Sequence, residues 1–153
     1  MIHCALLIGL VAHPSQETGT RGSPEEPLAC VRVQADSRGE SHFADFQIPL
    51  KLKDFAPPAA PLSVSPGEGA SQVLFLSLPS GWVGDWHPAP RRQYLISLSG
   101  KLEIGVSDGE VREFPAGSIL LLEDTSGKGH SARVVGEETV RLVAVPLEDQ
   151  EKR

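Results

Sequence analysis

The amino-acid sequence predicts an all-β domain, built as a barrel or sandwich of short strands. Short apolar runs recur at a spacing of roughly 8–12 residues, with turn-forming residues between them, which is typical of such folds. Glycine and proline are numerous, at 15 and 13 residues, as a chain with many tight turns requires. No stretch shows the apolar repeat of an amphipathic helix. The length of 153 residues suits a single domain with one core.

Residues 1–29 are predicted to form an N-terminal extension, and residues 149–153 a short tail. Residues 4–12 are apolar, but they are far fewer than the roughly 20 residues that a membrane-spanning helix needs. No lysine or arginine precedes them, so a secretory signal peptide is not expected. This segment is interpreted as a strand, a segment that packs on a partner, or an artefact of the start codon. Residues 13–27 are polar and are expected to form a linker or an exposed arm.

The barrel domain is expected over residues 30–148. Residues 30–34 alternate between apolar and polar side chains and are predicted to form a strand, followed by a turn at residues 36–40. Residues 41–55 carry only scattered apolar side chains and receive no strand assignment. The proline-rich run at residues 56–61 is expected to be extended and to wrap around the outside of the barrel.

The rest of the barrel is expected to consist of strands separated by turns. Asp108 and Gly109 stand between two apolar runs, which is a strong signal for a hairpin. Residues 118–122 are nearly all apolar, so this strand is expected to be buried on both faces. The predicted strands after the proline-rich run are residues 73–78, 94–98, 102–106, 111–114, 118–122, 130–135 and 139–145.

Two runs in the C-terminal half each place one histidine beside turn residues, at the mouth of a predicted strand. The first spans residues 84–93, which read Gly-Asp-Trp-His-Pro-Ala-Pro-Arg-Arg-Gln, and closes at Gly100. The second begins with Pro-Ala-Gly at 115–117 and closes with Gly-Lys-Gly-His at 127–130. Together they resemble the two motifs of the cupin superfamily, over about residues 73–147. The resemblance implies a cupin-type double-stranded β-barrel, or jelly roll, which often holds a metal and commonly forms a homodimer.

The cupin motifs consist of two histidines one residue apart, a glutamate, and a third histidine after a glycine-containing turn. His87 matches the first histidine, and Ala89 occupies the position of the second. Gln93 stands where the glutamate would be, and His130 matches the last histidine. The resemblance therefore implies a metal site formed by His87, Gln93 and His130. Asp85 is an alternative third ligand, because in a regular strand its side chain would point to the same face as those of His87 and Gln93.

Two classes of function follow from these residues. In the first, Fe, Mn, Ni, Cu or Zn is held by the histidines and acts on a keto, phenolic or carboxylate substrate, in a dioxygenase, isomerase or lyase reaction. In the second, no metal is bound, and the barrel is a small-ligand binding protein or uses His87 and His130 as acid and base. Otherwise, the two histidines are expected to be hydrogen-bonded polar residues of the barrel interior.

Aromatic and basic residues near the first motif are candidates for substrate binding. Trp82, Trp86 and Tyr94 are expected either to stack on a planar ligand at the barrel mouth or to cap the core. Arg91 and Arg92 are expected to clamp a carboxylate or phosphate of the substrate. Alternatively, the two arginines form ion pairs or lie in solvent.

Two acidic residues follow the predicted strand at residues 118–122. Glu123 and Asp124 are expected near the barrel rim, where either one would pair with an arginine or orient His130. His42 lies on neither motif and is assigned no role.

Composition and motifs argue against several other functions. The formal net charge of -6 disfavours binding to nucleic acids or to anionic membranes. Cys4 and Cys30 show neither a zinc-binding spacing nor a disulfide framework. No dinucleotide-binding, P-loop, zinc-protease or nucleophile-elbow motif is present. We therefore expect a cytoplasmic protein that binds a small molecule.

Overall fold

The computed structural model describes residues 25–148, which form twelve β-strands and no helix. Since these residues contain no helix, they contain none that could cross a membrane. The apolar segment at residues 4–12 and the tail at residues 149–153 lie outside the described residues. The strands are, in chain order, β1 (Leu28–Ala35), β2 (Ser41–Ile48), β3 (Lys51–Lys53), β4 (Leu62–Val64), β5 (Leu74–Leu78), β6 (Val83–His87), β7 (Gln93–Ser99), β8 (Lys101–Val106), β9 (Val111–Pro115), β10 (Ile119–Leu122), β11 (His130–Val134) and β12 (Val140–Pro146).

The strands form two large sheets and one separate hairpin. The six-stranded sheet has the order β2-β1-β10-β7-β12-β5, and the four-stranded sheet has the order β6-β11-β8-β9. The parallel pair β1–β10 places Val31 beside Leu120, 89 residues further along the chain, while the pairs β1–β2 and β10–β7 are antiparallel. Strands β3 and β4 form the hairpin. This arrangement confirms the predicted all-β, double-sheet jelly-roll fold.

The hydrophobic core lies between the inner faces of the two sheets. Leu95 and Leu120 of the six-stranded sheet are buried in one cluster with Ile104 and Phe114 of the four-stranded sheet. Burying a side chain of this size stabilises the fold by about 1.5–3 kcal/mol. Buried and partly exposed residues alternate along β7, as expected for a strand that presents one face to the core.

The structure differs from the sequence-based expectations over residues 41–64. Residues 41–48 form β2. Its alternation of apolar and polar residues is not visible in the sequence, because two residues of its inner face, Asp45 and Gln47, are polar and lie at the edge of the sheet. The proline-rich run is not extended around the barrel. It forms the turn of the β3–β4 hairpin, where the Ala59 amide donates a hydrogen bond to the Ala56 carbonyl (3.0 Å).

A polar bridge joins the β1–β2 turn to the β8–β9 turn. His42 lies between two carboxylates, with Nδ1 2.7 Å from Asp108 and Nε2 3.3 Å from Asp36. Both ring nitrogens can donate a hydrogen bond only when the imidazole is charged. The hydrogen bonds to Asp108 and then Asp36 therefore raise the pKa of His42. Sequence patterns assign His42 no role because Asp108, its nearer partner in space, comes from a turn 66 residues away in the chain.

Replacing His42 with glutamine should flatten the pH dependence of stability. The raised pKa of His42 means that the stabilisation is complete below the unfolded value of about 6.5 and is lost as the pH rises through the folded-state pKa. Urea unfolding measured from about pH 5 to about pH 9 should show the wild-type free energy of unfolding falling more steeply than that of the variant. Equal slopes for the two proteins would mean that the bridge does not stabilise the fold.

Candidate ligand cavity

A cavity of about 250 Å³ lies inside the barrel, between the inner faces of the two sheets. Three polar side chains line it, and each comes from a predicted motif position: His87, Gln93 and His130. The rest of the wall is apolar and consists of Leu76, Leu78, Trp82, Pro90, Leu95, Leu102, Ile104, Leu122, Ala132 and Leu142. The structure therefore gathers the two histidines and the glutamine around one cavity.

His130 is held by a buried carboxylate. It is the first residue of β11 and is 4% exposed, and Asp124, just after β10, is 0% exposed. His130 Nδ1 lies 2.6 Å from Asp124 Oδ2. Because a carboxylate only accepts hydrogen bonds, the proton lies on Nδ1, and Nε2 is left for a group in the cavity. The other oxygen, Asp124 Oδ1, is buried and has no hydrogen-bond partner among residues 25–148.

His87, like His130, has its Nε2 atom available, and it lies at the mouth of the cavity. It ends β6 and is exposed, and its Nδ1 donates a hydrogen bond to the carbonyl oxygen of Asp85 (2.6 Å). The rings of His87 and His130 are adjacent, with centroids 4.8 Å apart and planes inclined by 52°. Both imidazoles are thus tied through Nδ1 and have Nε2 available.

An irregularity in β6 determines which residues reach the cavity. His87 lies opposite His130, and Gly84 lies opposite Ala132. The two pairs are therefore three residues apart along β6 but only two residues apart along β11. Such a bulge reverses the in-and-out alternation of the strand. Asp85 is therefore exposed and does not line the cavity, and the structure does not bring it together with His87 as the parity argument expected.

Glycines allow the loop before His130 to approach its neighbours closely. Gly129 has a φ of +70°, and a Cβ added there would lie 2.1 Å from the carbonyl oxygen of His87. Gly127 has a φ of +79°, and its Cβ would lie 2.5 Å from the carbonyl oxygen of Gly39. The amide of Lys128 donates a hydrogen bond to the same Gly39 oxygen (2.9 Å). Only glycine tolerates both the backbone angle and the contact at positions 127 and 129.

Gln93 supplies an uncharged polar group to the cavity. It begins β7, is 8% exposed, and faces inward with Leu95 and Ser97. Its amide offers two N–H donors and one carbonyl acceptor. Along the described stretch of chain, no hydrogen bond joins this amide to another residue, so its donors and acceptor face the cavity unpaired.

Arg92 and Tyr94 lie on the outer face of the six-stranded sheet, because side chains alternate across β7 and Gln93 faces inward. Arg92 Nε donates to Glu123 (2.7 Å), and Arg92 Nη1 donates to Glu68 (2.9 Å). Tyr94 donates its hydroxyl hydrogen to Glu68 (2.8 Å), and burial followed by this carboxylate raises the pKa of Tyr94 to about 12. The ion-pair alternative thus applies to Arg92, and neither residue contacts the cavity as their predicted substrate-binding roles required.

The two tryptophans occupy different positions relative to the cavity. Trp86 is 54% exposed and Arg91 is exposed, and neither lines the cavity. Trp82 does line it, because its ring folds back over Gly84, where a Cβ would lie 2.5 Å from the ring. The glycine two residues after Trp82 was the only sequence signal for this placement.

No protein-family model and no curated protein matches the chain. Similar solved structures include the cupin domain of Cnp3 from Schizosaccharomyces pombe, at 12% identity and a TM-score of 0.42, covering 80% of this chain and 84% of that one. An RmlC-like cupin protein from Desulfovibrio desulfuricans has 13% identity and a TM-score of 0.37, covering 90% and 98%.

A third similar structure is a putative ethanolamine utilization protein Q from Salmonella typhimurium, at 15% identity and a TM-score of 0.34, covering 80% and 96%. Structures described as cupins are thus among those that this chain resembles. These similarities, at 12% to 15% identity, concern the fold alone.

Replacing Gly129 with alanine should destabilise the protein by about 3 kcal/mol or more, because the new methyl group collides with the His87 backbone. Gly117 is the matched control, since it has a φ of +88° but no atom within 4 Å of its Cβ position. Alanine at position 117 should cost only the backbone strain, about 1–2 kcal/mol. Urea unfolding of both variants measures the difference, and equal losses would contradict the role of the His87 contact.

Proposed function

We propose that the protein binds a small, largely apolar molecule with one oxygen-bearing group in the barrel cavity and transfers a proton on it through His130. The buried Asp124–His130 hydrogen bond on the cavity wall is the observation that carries this proposal. A carboxylate that holds Nδ1 orients the imidazole and stabilises the positive charge that forms when Nε2 accepts a proton.

The lining of the cavity defines the chemical class of the ligand. Its volume of about 250 Å³ lies below the range of roughly 300–1,000 Å³ that is usual for drug-sized ligands. No lysine, arginine, aspartate or glutamate is among the described residues that line it. Because an unpaired charge is costly to bury, we favour an uncharged keto or phenolic compound of about one ring over a carboxylate.

A keto compound allows the proton transfer to be written in full. His130 Nε2 removes a proton from the carbon next to the carbonyl, and the C–H electron pair moves into an enolate. The Gln93 amide donates a hydrogen bond to the enolate oxygen, where negative charge accumulates. The imidazolium of His130 then gives a proton back. Protonation of the same carbon, after the imidazolium has exchanged its proton with water, gives hydrogen exchange, whereas protonation of the far carbon of a conjugated dienolate moves a carbon–carbon double bond and isomerises the ketone. His87 is placed to act as a second acid or base at the cavity mouth. Isomerisation of a keto compound is the reaction class that this sequence of steps supports.

Binding is tested with acetophenone and phenol as probes. The chain has two tryptophans, so Trp86→Phe leaves Trp82, which lines the cavity, as the sole reporter. We expect saturable quenching of Trp82 fluorescence in this variant. The matched control, Trp82→Phe, leaves only the exposed Trp86, whose fluorescence should not change. Equal responses from the two variants, or no response from either, would refute binding in the barrel.

Proton transfer is tested by exchange of the acetophenone methyl hydrogens with D2O, followed by NMR. His130→Ala should lower the exchange rate at least about 100-fold, as expected for loss of a general base. Asp124→Asn should also lower it, because an amide does not fix the same tautomer. Binding measured with Trp82 should persist in both variants. Binding without exchange in the wild-type protein would indicate a small-ligand binding protein instead of an enzyme.

A divalent metal held by His87, His130 and Gln93 is the second candidate. The free Nε2 atoms favour it, because metal-binding histidines usually donate their other ring nitrogen to a carbonyl or carboxylate. The donor set, however, falls short of the three strong ligands of a typical catalytic site. Residues 25–148 hold no group of three or more His, Cys, Asp or Glu able to bind a metal, and an amide oxygen is a weak ligand. No step is therefore assigned to a metal.

Elemental mass spectrometry of protein purified without a histidine tag distinguishes the two candidates. The metal-free proposal predicts far less than one metal per chain after incubation with Fe, Mn, Ni, Cu and Zn salts. It also predicts that chelator treatment leaves acetophenone binding unchanged. Near-stoichiometric metal that His87→Ala and His130→Ala both lose would establish the second candidate in its place.

A further inference from the structure

Strand β5 is an unprotected edge of the six-stranded sheet. Its ladder partner is β12, and none of residues 25–148 pairs with its other side. Leu74, Phe75 and Leu76 are 42%, 78% and 38% exposed. An edge strand exposes a row of backbone N–H and C=O groups that can pair with another strand.

The features that usually prevent such pairing are missing around β5. Soluble proteins protect edge strands with charged side chains, prolines within the strand or bulges. Residues 72–84 contain no Asp, Glu, Lys or Arg, and the first proline, Pro79, comes after the strand has ended. The pairing of β5 with β12 is regular from Leu74 to Leu78. An apolar edge of this kind is expected to be covered in solution.

The outer face beside this edge is also apolar. The register places Phe75 next to Val143, Val143 next to Ile96, and Ile96 next to Ile119. One apolar row therefore crosses four strands and ends at the most exposed of its side chains, that of Phe75. Covering β5 would bury the exposed end of this row.

We propose that a second copy of this chain pairs its β5 with β5 in antiparallel orientation, about a two-fold axis at Leu76. The strand reads Leu-Phe-Leu-Ser-Leu, which is nearly the same in both directions. Pairing about Leu76 places Leu74 opposite Leu78 and Phe75 opposite Ser77, so no charge meets a charge. Each pair lies on one face of the joined sheet, as antiparallel pairing requires. A surface that complements itself in this way is what a two-fold dimer needs.

Each chain carries a net charge of -6, but residues 72–84 contain no charged side chain. The paired segments themselves therefore bring no acidic groups together at the axis. Phe75 and Phe75 of the partner subunit lie diagonally across the axis, on the same outer face. Diagonal neighbours of this type are within reach of large side chains. Two like charges at position 75 should therefore repel, and two opposite charges should attract.

The experiment measures the mass of the full chain by analytical ultracentrifugation at tens of micromolar. The wild-type protein should be a dimer, and Phe75→Lys should weaken it by about 30-fold or more, as for loss of a central aromatic contact. Val111→Lys is the matched control, because Val111 is 56% exposed on β9, the edge of the other sheet. It should leave the dimer unchanged. Phe75→Glu should also be monomeric, and an equal mixture of Phe75→Lys and Phe75→Glu should recover the dimer.

Several results would overturn the proposal. A monomeric wild-type chain would refute it, and so would a dimer that persists in Phe75→Lys. If removal of residues 1–24 abolished the dimer while Phe75→Lys did not, the N-terminal segment would be the contact and β5 would not. Recovery of the dimer in the mixed variants rules out misfolding as the cause of dissociation, and its absence would contradict the two-fold register.

Discussion

The hydrogen bond between Asp124 and His130 is the constraint on which the cavity depends. Asp124 is fully buried, and within residues 25–148 its carboxylate has one hydrogen-bond partner, the imidazole. A buried acid is costly unless it is paired, so this contact fixes the end of β10 against the start of β11. The backbone carbonyl of Asp124 also accepts a hydrogen bond from the Ala89 amide (3.1 Å). One residue thus connects both histidine motifs, and the cavity lies where they meet.

The two edges of the sandwich meet the cavity on the same side. Leu76 and Leu78 of β5 line it from the six-stranded sheet, and Trp82 and His87 line it from the β6 side of the four-stranded sheet. Strand β5 therefore serves in two roles, as a wall of the cavity and as an exposed apolar edge. A dimer through β5 would stabilise one wall of the ligand site without contributing a residue to it.

Sequence patterns located the strands well and located the site in part. Residues 73–78, 94–98 and 102–106 form strands close to the predicted bounds, because regular alternation and turn residues are local signals. His87, Gln93 and His130 were matched through two motifs, and they line one cavity. The predicted role of Asp85 assumed regular alternation through the first motif, whereas the roles of Tyr94 and Arg92 were inferred from their chemistry and their nearness to that motif. The β6 bulge and the outward parity of Tyr94 removed these residues from the cavity, and a run containing Pro88 and Pro90 gives no sign of where alternation shifts.

The amino-acid sequence alone was enough to establish the all-β class, the positions of most strands and the pairing of two histidine motifs with glycine-rich turns. These properties depend on neighbours a few residues apart, where backbone angles and alternation are visible in the residue types. Which residues contact each other, and which of them face the cavity, was decided only in the folded chain. Asp124 rather than Glu123 holds His130, Trp82 rather than Trp86 faces the ligand space, and Arg92 is neutralised by Glu68 and Glu123. Each of these choices depends on which face of a strand a residue occupies and on which distant strand lies beside it, and no local pattern contains that information.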